Sequence, residues 1–191
     1  MPKVSPEYRE SRRQEILHAA RALFAKQGFA GTSMSDLVSA TGLSIGALYR
    51  YFPSKTDLVM AVVEGRDGTV DGSYDDSESP GELLSRLLCY VAPGTPAGTS
   101  QARLTAQIWG DAAVNPGFAA KVRERHGALV DQLAGRLRAT RRKRTAGHRD
   151  ESALAEVLLA ALIGFAALVA TESPVDPQAF ERTLLQLLAD A

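Results

Sequence analysis

Between Ser33 and Pro53 the chain has room for two helices of about two turns each and for little else. Ser33 is followed three residues later by Asp36, close to a capping box, and the apolar Leu37 and Val38 lead to a stop at Thr41-Gly42. Ser44 caps a second helix running through Leu48 to Phe52, and Pro53 prevents its continuation because proline disfavours helical geometry in the residue before it. Before them, from Ser11 to Gln27, Ile16, Ala20, Leu23 and Phe24 recur at the spacing of an amphipathic helix. Gly28 ends that helix in a left-handed conformation, with Phe29 placed to fold back on its end. A helix, a glycine-containing turn and another helix, anchored on a third, make a helix-turn-helix unit.

Ser54-Lys55-Thr56-Asp57 repeats the capping pattern and starts a fourth helix through Leu58, Val59, Val62 and Val63. Arg66 to Gly81, rich in Asp, Ser and Gly, reads as boundary loop or frayed helix. Helices follow near Glu82 to Val91, Ser100 to Ala113, Gly117 to Thr140, Glu151 to Glu172 and Pro177 to Ala189, with proline, glycine or basic stretches between them. No strand pattern and no internal repeat is found. The expected architecture is all-α with about nine helices in two domains, residues 1–60 and 61–191.

The 22 basic and 22 acidic residues cancel, so the overall charge says nothing of a polyanionic partner. Their distribution does, because residues 1–60 carry eight basic against five acidic side chains while residues 61–100 carry two against seven. Cys89 is the only cysteine, which excludes an intramolecular disulfide and a cysteine metal cage and fits a reducing cytoplasm. Its apolar neighbours Leu87, Leu88, Tyr90 and Val91 predict that it is buried. The charged N-terminus lacks a secretory pattern, and the apolar run Leu154 to Ala170 reads as a core or interface helix rather than a membrane span. His18, His126 and His148 are dispersed, no phosphate-cradling glycine loop occurs, and neither enzymatic chemistry, metal nor cofactor is expected.

Entering a DNA major groove requires one short helix whose free face lacks bulk while its other face is anchored. Ser44 to Phe52 meets that demand, with Leu48 and Phe52 on the anchored side beside Leu37, Leu43 and Phe24. Ser44, Ile45, Gly46, Ala47, Tyr49 and Arg50 occupy the leading end and free side. Gly46 and Ala47 let the backbone approach base edges, Ile45 offers an apolar contact to a thymine methyl, and Tyr49 suits a base or a phosphate. Tyr51 and Lys55 are placed for the phosphodiester backbone, as are Thr32, Ser33 and Ser35 at the start of the preceding helix, where capping competes for the same hydroxyls.

Ala20-Arg21-Ala22-Leu23-Phe24, Gly28-Phe29, Gly31-Thr32-Ser33, the run Leu43 to Phe52 and the run Pro53 to Leu58 together resemble the TetR family of transcriptional regulators. The resemblance covers about residues 10–60 and departs at Ile45, where many relatives carry a polar or basic residue. It implies a homodimer, usually a repressor, that sets two recognition helices in successive major grooves of a pseudo-palindromic operator. It also implies a small-molecule effector bound in the C-terminal domain, with the fourth helix as lever.

Within residues 61–191 the stripe Leu154, Val157, Leu158, Ala161, Leu162, Phe165, Leu168 and Val169 is broad enough to cover more than one face. Leu158, Leu162, Phe165, Val169, Leu184 and Leu188 are the expected dimer contacts in a two-fold four-helix bundle. Tyr90, Leu104, Gln107, Ile108, Trp109, Phe118, Val122, His126 and Phe165 are the expected lining of an effector pocket. The basic run Arg141 to Arg144, extended by Arg136, Arg138 and Arg149, reads as a solvated loop between helices. The alternative reading is a helical small-molecule sensor or adaptor with a vestigial helix-turn-helix.

Overall fold

The computed structural model describes residues 5–63, 78–94, 98–141 and 150–190. Among the described residues there are nine helices and no strand: α1 (Pro6–Gly31), α2 (Met34–Thr41), α3 (Ile45–Tyr51), α4 (Lys55–Val63), α5 (Pro80–Val91), α6 (Gly98–Val114), α7 (Pro116–Arg141), α8 (Glu151–Ala170) and α9 (Pro177–Asp190). The chain separates into two compact units, Met1–Tyr74 and Asp75–Ala191. A boundary at residue 60 falls inside α4, which packs on α1 and so goes with the first unit.

In the first unit α1 begins at Pro6, five residues before the expected start. Ser5 is its N-cap, accepting from the Tyr8 amide at 3.2 Å, and Pro6 fills a first-turn position where a missing N–H costs nothing. These early turns have no apolar stripe, and polar side-chain pairs line them: Arg12 with Glu15, and Gln14 donating to Glu10 at 2.6 Å. At the other end Gly28 has φ 80 and ψ 166. Its φ is positive as expected, but its ψ is extended rather than left-handed helical, a combination open essentially to glycine alone. The helix therefore kinks there and makes a last turn to Gly31, which lets Phe29 meet Phe24 edge-on at 5.0 Å.

Ile16, Leu17, Ala20 and Phe24 of α1, Leu37 of α2 and Leu48 of α3 are buried, and Phe52 at the end of α3 closes the same core. Arg21, also buried, donates to the Val62 carbonyl in the last turn of α4 at 2.9 Å.

The second unit is a helical bundle in which α8 packs against α6 and α7, and α5 against α6, α7 and α9. Ser79 and Glu82 form a full capping box at the start of α5, Asp150 caps α8 and Asn115 accepts from the Phe118 amide to cap α7. Glu78 and Arg86 form a two-bond ion pair at 2.8 and 2.9 Å, which holds the Glu78 carboxyl below its usual range.

Cys89 is exposed, contrary to the expectation of burial. The inward face of α5 is Leu83, Leu84, Leu88 and Val91, and the helical period turns residue 89 away from it. By length and composition α8 could cross a membrane, yet its inward side is used up on α6 and α7.

Candidate nucleic-acid interface

Ser44 is the N-cap of α3, its hydroxyl accepting from the Ala47 amide at 3.2 Å, and its carbonyl takes the first helical bonds. With Leu48 fully buried and Phe52 buried behind it, the remaining face turns to solvent. Ile45 and Tyr49, one helical turn apart, are 47% and 46% exposed. Two large apolar side chains side by side in water on so short a helix find no use within this unit. Ser44, Gly46 and Arg50 are exposed beside them and Ala47 is half-buried. A methyl added at Gly46 would meet nothing within 4 Å, so no internal contact demands a glycine there.

Around this helix lie the residues expected to meet phosphates. Tyr51 and Lys55 are half-buried, Lys55 being the first residue of α4. Ser54 accepts from the Asp57 amide at 3.1 Å and donates to its carboxylate at 2.7 Å, capping α4 one residue before Lys55. Ser33 and Asp36 form a complete capping box on α2: the Ser33 amide and hydroxyl both donate to the Asp36 carboxylate, at 2.7 and 2.8 Å. The amide contact above all draws the Asp36 carboxyl below its ordinary range. Ser33 and Ser35 are exposed.

Thr32 departs from expectation. It is only 1% exposed, and its hydroxyl donates to the Gly28 carbonyl at 2.7 Å. The kink at Gly28 frees that carbonyl, so Thr32 closes the end of α1 instead of facing a phosphate.

One contact absent from the expected set adjoins α3. The Arg13 guanidinium lies 5.1 Å above the Phe52 ring, pinning the early turns of α1 to the end of α3. Its neighbour Arg12 pairs with Glu15, which raises the Arg12 pKa, and feels Tyr8 and Tyr51 more weakly. The sequence signal was the cluster Arg9, Arg12 and Arg13, ahead of Ile16, the first residue of the apolar stripe.

The second unit rearranges the expected residues. Leu158, Leu162, Phe165, Val169 and Leu184, expected as dimer contacts, are buried within the subunit as part of its core; Leu188 is half-buried. The large apolar residues of α8 and α9 left exposed are Val157 and Leu168 on α8 and Leu187 on α9. Val157, Gly164 and Leu168 share one face of α8.

Of the expected pocket residues, Leu104, Ile108, Phe118, Val122 and Phe165 are buried, Phe165 against Phe180 at 4.6 Å. Tyr90, Gln107, Trp109 and His126 are half-buried, and the Trp109 and His126 rings meet edge-on at 5.3 Å. A cavity of about 320 Å³ opens elsewhere, lined by Pro93, Thr99, Val169, Glu172, Ser173 and Val175. Of the basic run, residues 142–149 lie outside the described residues, and Arg138 donates to Ser152 at 3.0 Å.

A helix-turn-helix with an exposed, capped second helix, followed by a separate all-helical unit, defines a DNA-binding transcriptional regulator. Residues 16–62 match the bacterial regulatory proteins of the tetR family, and residues 80–191 match the C-terminal region of BetI-type transcriptional repressors. The chain belongs to the TetR family.

Among its relatives, the HTH-type regulator YfiR of Bacillus subtilis is 40% identical over 63 residues, 33% of this chain and 31% of YfiR. The regulator UidR of Escherichia coli is 25% identical over 131 residues, 69% of this chain and 67% of UidR. The structure of Salmonella enterica GusR superposes with a TM-score of 0.75 at 24% identity, covering 99% of this chain and 98% of GusR, and so shares the fold.

Proposed function

We propose that this chain is a ligand-responsive repressor that binds a pseudo-palindromic operator as a homodimer and leaves it when a small molecule occupies the second unit. The observation that carries the reading is the exposed pair Ile45 and Tyr49 on a helix whose other face is locked by Leu48 and Phe52. Ser44, Ile45, Gly46, Ala47, Tyr49 and Arg50 then face base edges, while Ser33, Ser35, Tyr51 and Lys55 hold the flanking phosphates. Two copies reach successive major grooves about 34 Å apart.

The dimer forms through the outer face of α8 with α9, where Val157, Gly164, Leu168 and Leu187 offer an apolar, close-approach surface. The effector enters between α6 and α7, where Trp109 and His126 meet. Such a regulator works in the cytoplasm, where its DNA is.

Salt-dependent binding to duplex DNA from beside its own gene tests the reading. Lys55→Ala should weaken binding to every sequence and reduce the salt slope by about one, whereas Ile45→Ala or Tyr49→Ala should change preference among sequences. Parent and variants that bind alike reject it.

A further inference from the structure

We infer that Arg12 is a phosphate-contacting residue of the DNA face, exchanging its Glu15 partner for a phosphodiester when the protein docks. The inference rests on the DNA-binding reading above and extends the contact surface to α1, an element outside the helix-turn-helix proper. Three observations support it.

The Arg13 guanidinium on the Phe52 ring fixes the early turns of α1 against the end of α3, which brings their chain neighbours Arg12 and Tyr51 to the same border of the unit. Arg12 keeps a third of its side chain in solvent at 34% exposure, so it can be reached by a large polyanion. Tyr8, one turn earlier on α1, is exposed, and both Tyr8 and Tyr51 lie within electrostatic range of the Arg12 guanidinium. The guanidinium and the two phenols offer hydrogen-bond donors of the kind a phosphate oxygen accepts, and Glu15 is the carboxylate paired with Arg12.

Glu15 supplies the contrast. It is an exposed carboxylate on the outer side of α1, and an ion pair in water of this kind is worth little. A DNA phosphate, whose neutralisation releases condensed counterions, outcompetes it.

The test compares parent, Arg12→Gln, Glu15→Gln and the double variant on a random-sequence duplex of roughly 30 base pairs, a length that covers two half-sites one helical turn apart. Dissociation constants are measured across a salt series. Arg12→Gln should weaken binding and lower the slope of log K against log salt by about one, with the same thermal unfolding midpoint as the parent. Glu15→Gln should tighten binding, and that gain should vanish in the Arg12→Gln background.

An unchanged slope in Arg12→Gln overturns the inference, as does a gain from Glu15→Gln that persists without Arg12. If Arg12→Gln fails to fold, Arg12→Lys, which keeps a charge, replaces it and should retain the parent slope while Glu15→Gln still tightens binding; failure of either overturns the inference. A parent that binds no duplex at all overturns the DNA-binding reading itself.

Discussion

Buried Arg21 of α1 reaches across to α4 and donates a hydrogen bond of 2.9 Å to the Val62 carbonyl, close to where α4 ends. A charged side chain inside so small a core must repay its desolvation, and a carbonyl in the last turn of a helix is a suitable partner. Arg21→Met keeps the aliphatic bulk and removes the donor. It should destabilise the chain by about 1–3 kcal/mol, read as a lower thermal unfolding midpoint. An unchanged midpoint would mean that the carbonyl is satisfied without Arg21.

Gly46 sits on the exposed side of α3 with space around it. Gly46→Ala should therefore stabilise the free protein by up to about 1 kcal/mol, because alanine loses less conformational entropy in a helix. DNA binding should fall at the same time, since the new methyl stands where a base edge would come. Denaturant unfolding and DNA titration on one preparation check both halves, and a variant that gains stability and keeps its affinity shows that this face does not approach DNA closely.

Asp36 and Glu78 both have lowered carboxyl pKa values, Asp36 chiefly from the Ser33 amide and Glu78 chiefly from hydrogen bonding to Arg86. A carboxyl held lower in the folded than in the unfolded chain contributes stability that is present above its unfolded value of about 4 and is lost as pH falls through the folded value. The urea midpoint should therefore drop between about pH 5 and pH 3, and the drop should shrink in Asp36→Asn and Glu78→Gln. An equal drop in both variants and the parent assigns acid sensitivity to other groups.

Leu168 and Leu158 lie on the same helix with opposite exposure. Leu168→Lys should convert the proposed dimer to monomers in sedimentation experiments while leaving helix content intact. Leu158→Ala, which removes buried volume, should cost about 2–5 kcal/mol of stability. A dimer that survives Leu168→Lys places the subunit interface elsewhere.

The helix-turn-helix was legible because its instructions are local. Ser33 with Asp36, Gly42 after α2, Ser44 before α3 and Pro53 after it each act within a few residues, and the structure keeps all these boundaries. Gly42 adopts the left-handed φ of 66 that ends a helix. The early start of α1 was written in Ser5-Pro6 but carries no apolar periodicity, since residues 5–11 are all exposed. The apolar stripe of α8 was equally visible, yet its division was not. A period of 3.6 says which residues share a face, and only the positions of α6 and α7 say which face is covered.

Thr32 makes the same point at the DNA face. Its hydroxyl is a phosphate donor on paper, and its burial follows from the kink at Gly28, whose extended ψ no local rule foretold. Residue order alone determined where helices begin and end and which short helix is free to enter a groove, because caps and breakers act through neighbours in the chain. Tertiary packing decided which leucines of α8 became core, which way Cys89 turned and that Arg13 came to lie over Phe52, because those outcomes depend on surfaces brought together from distant parts of the chain.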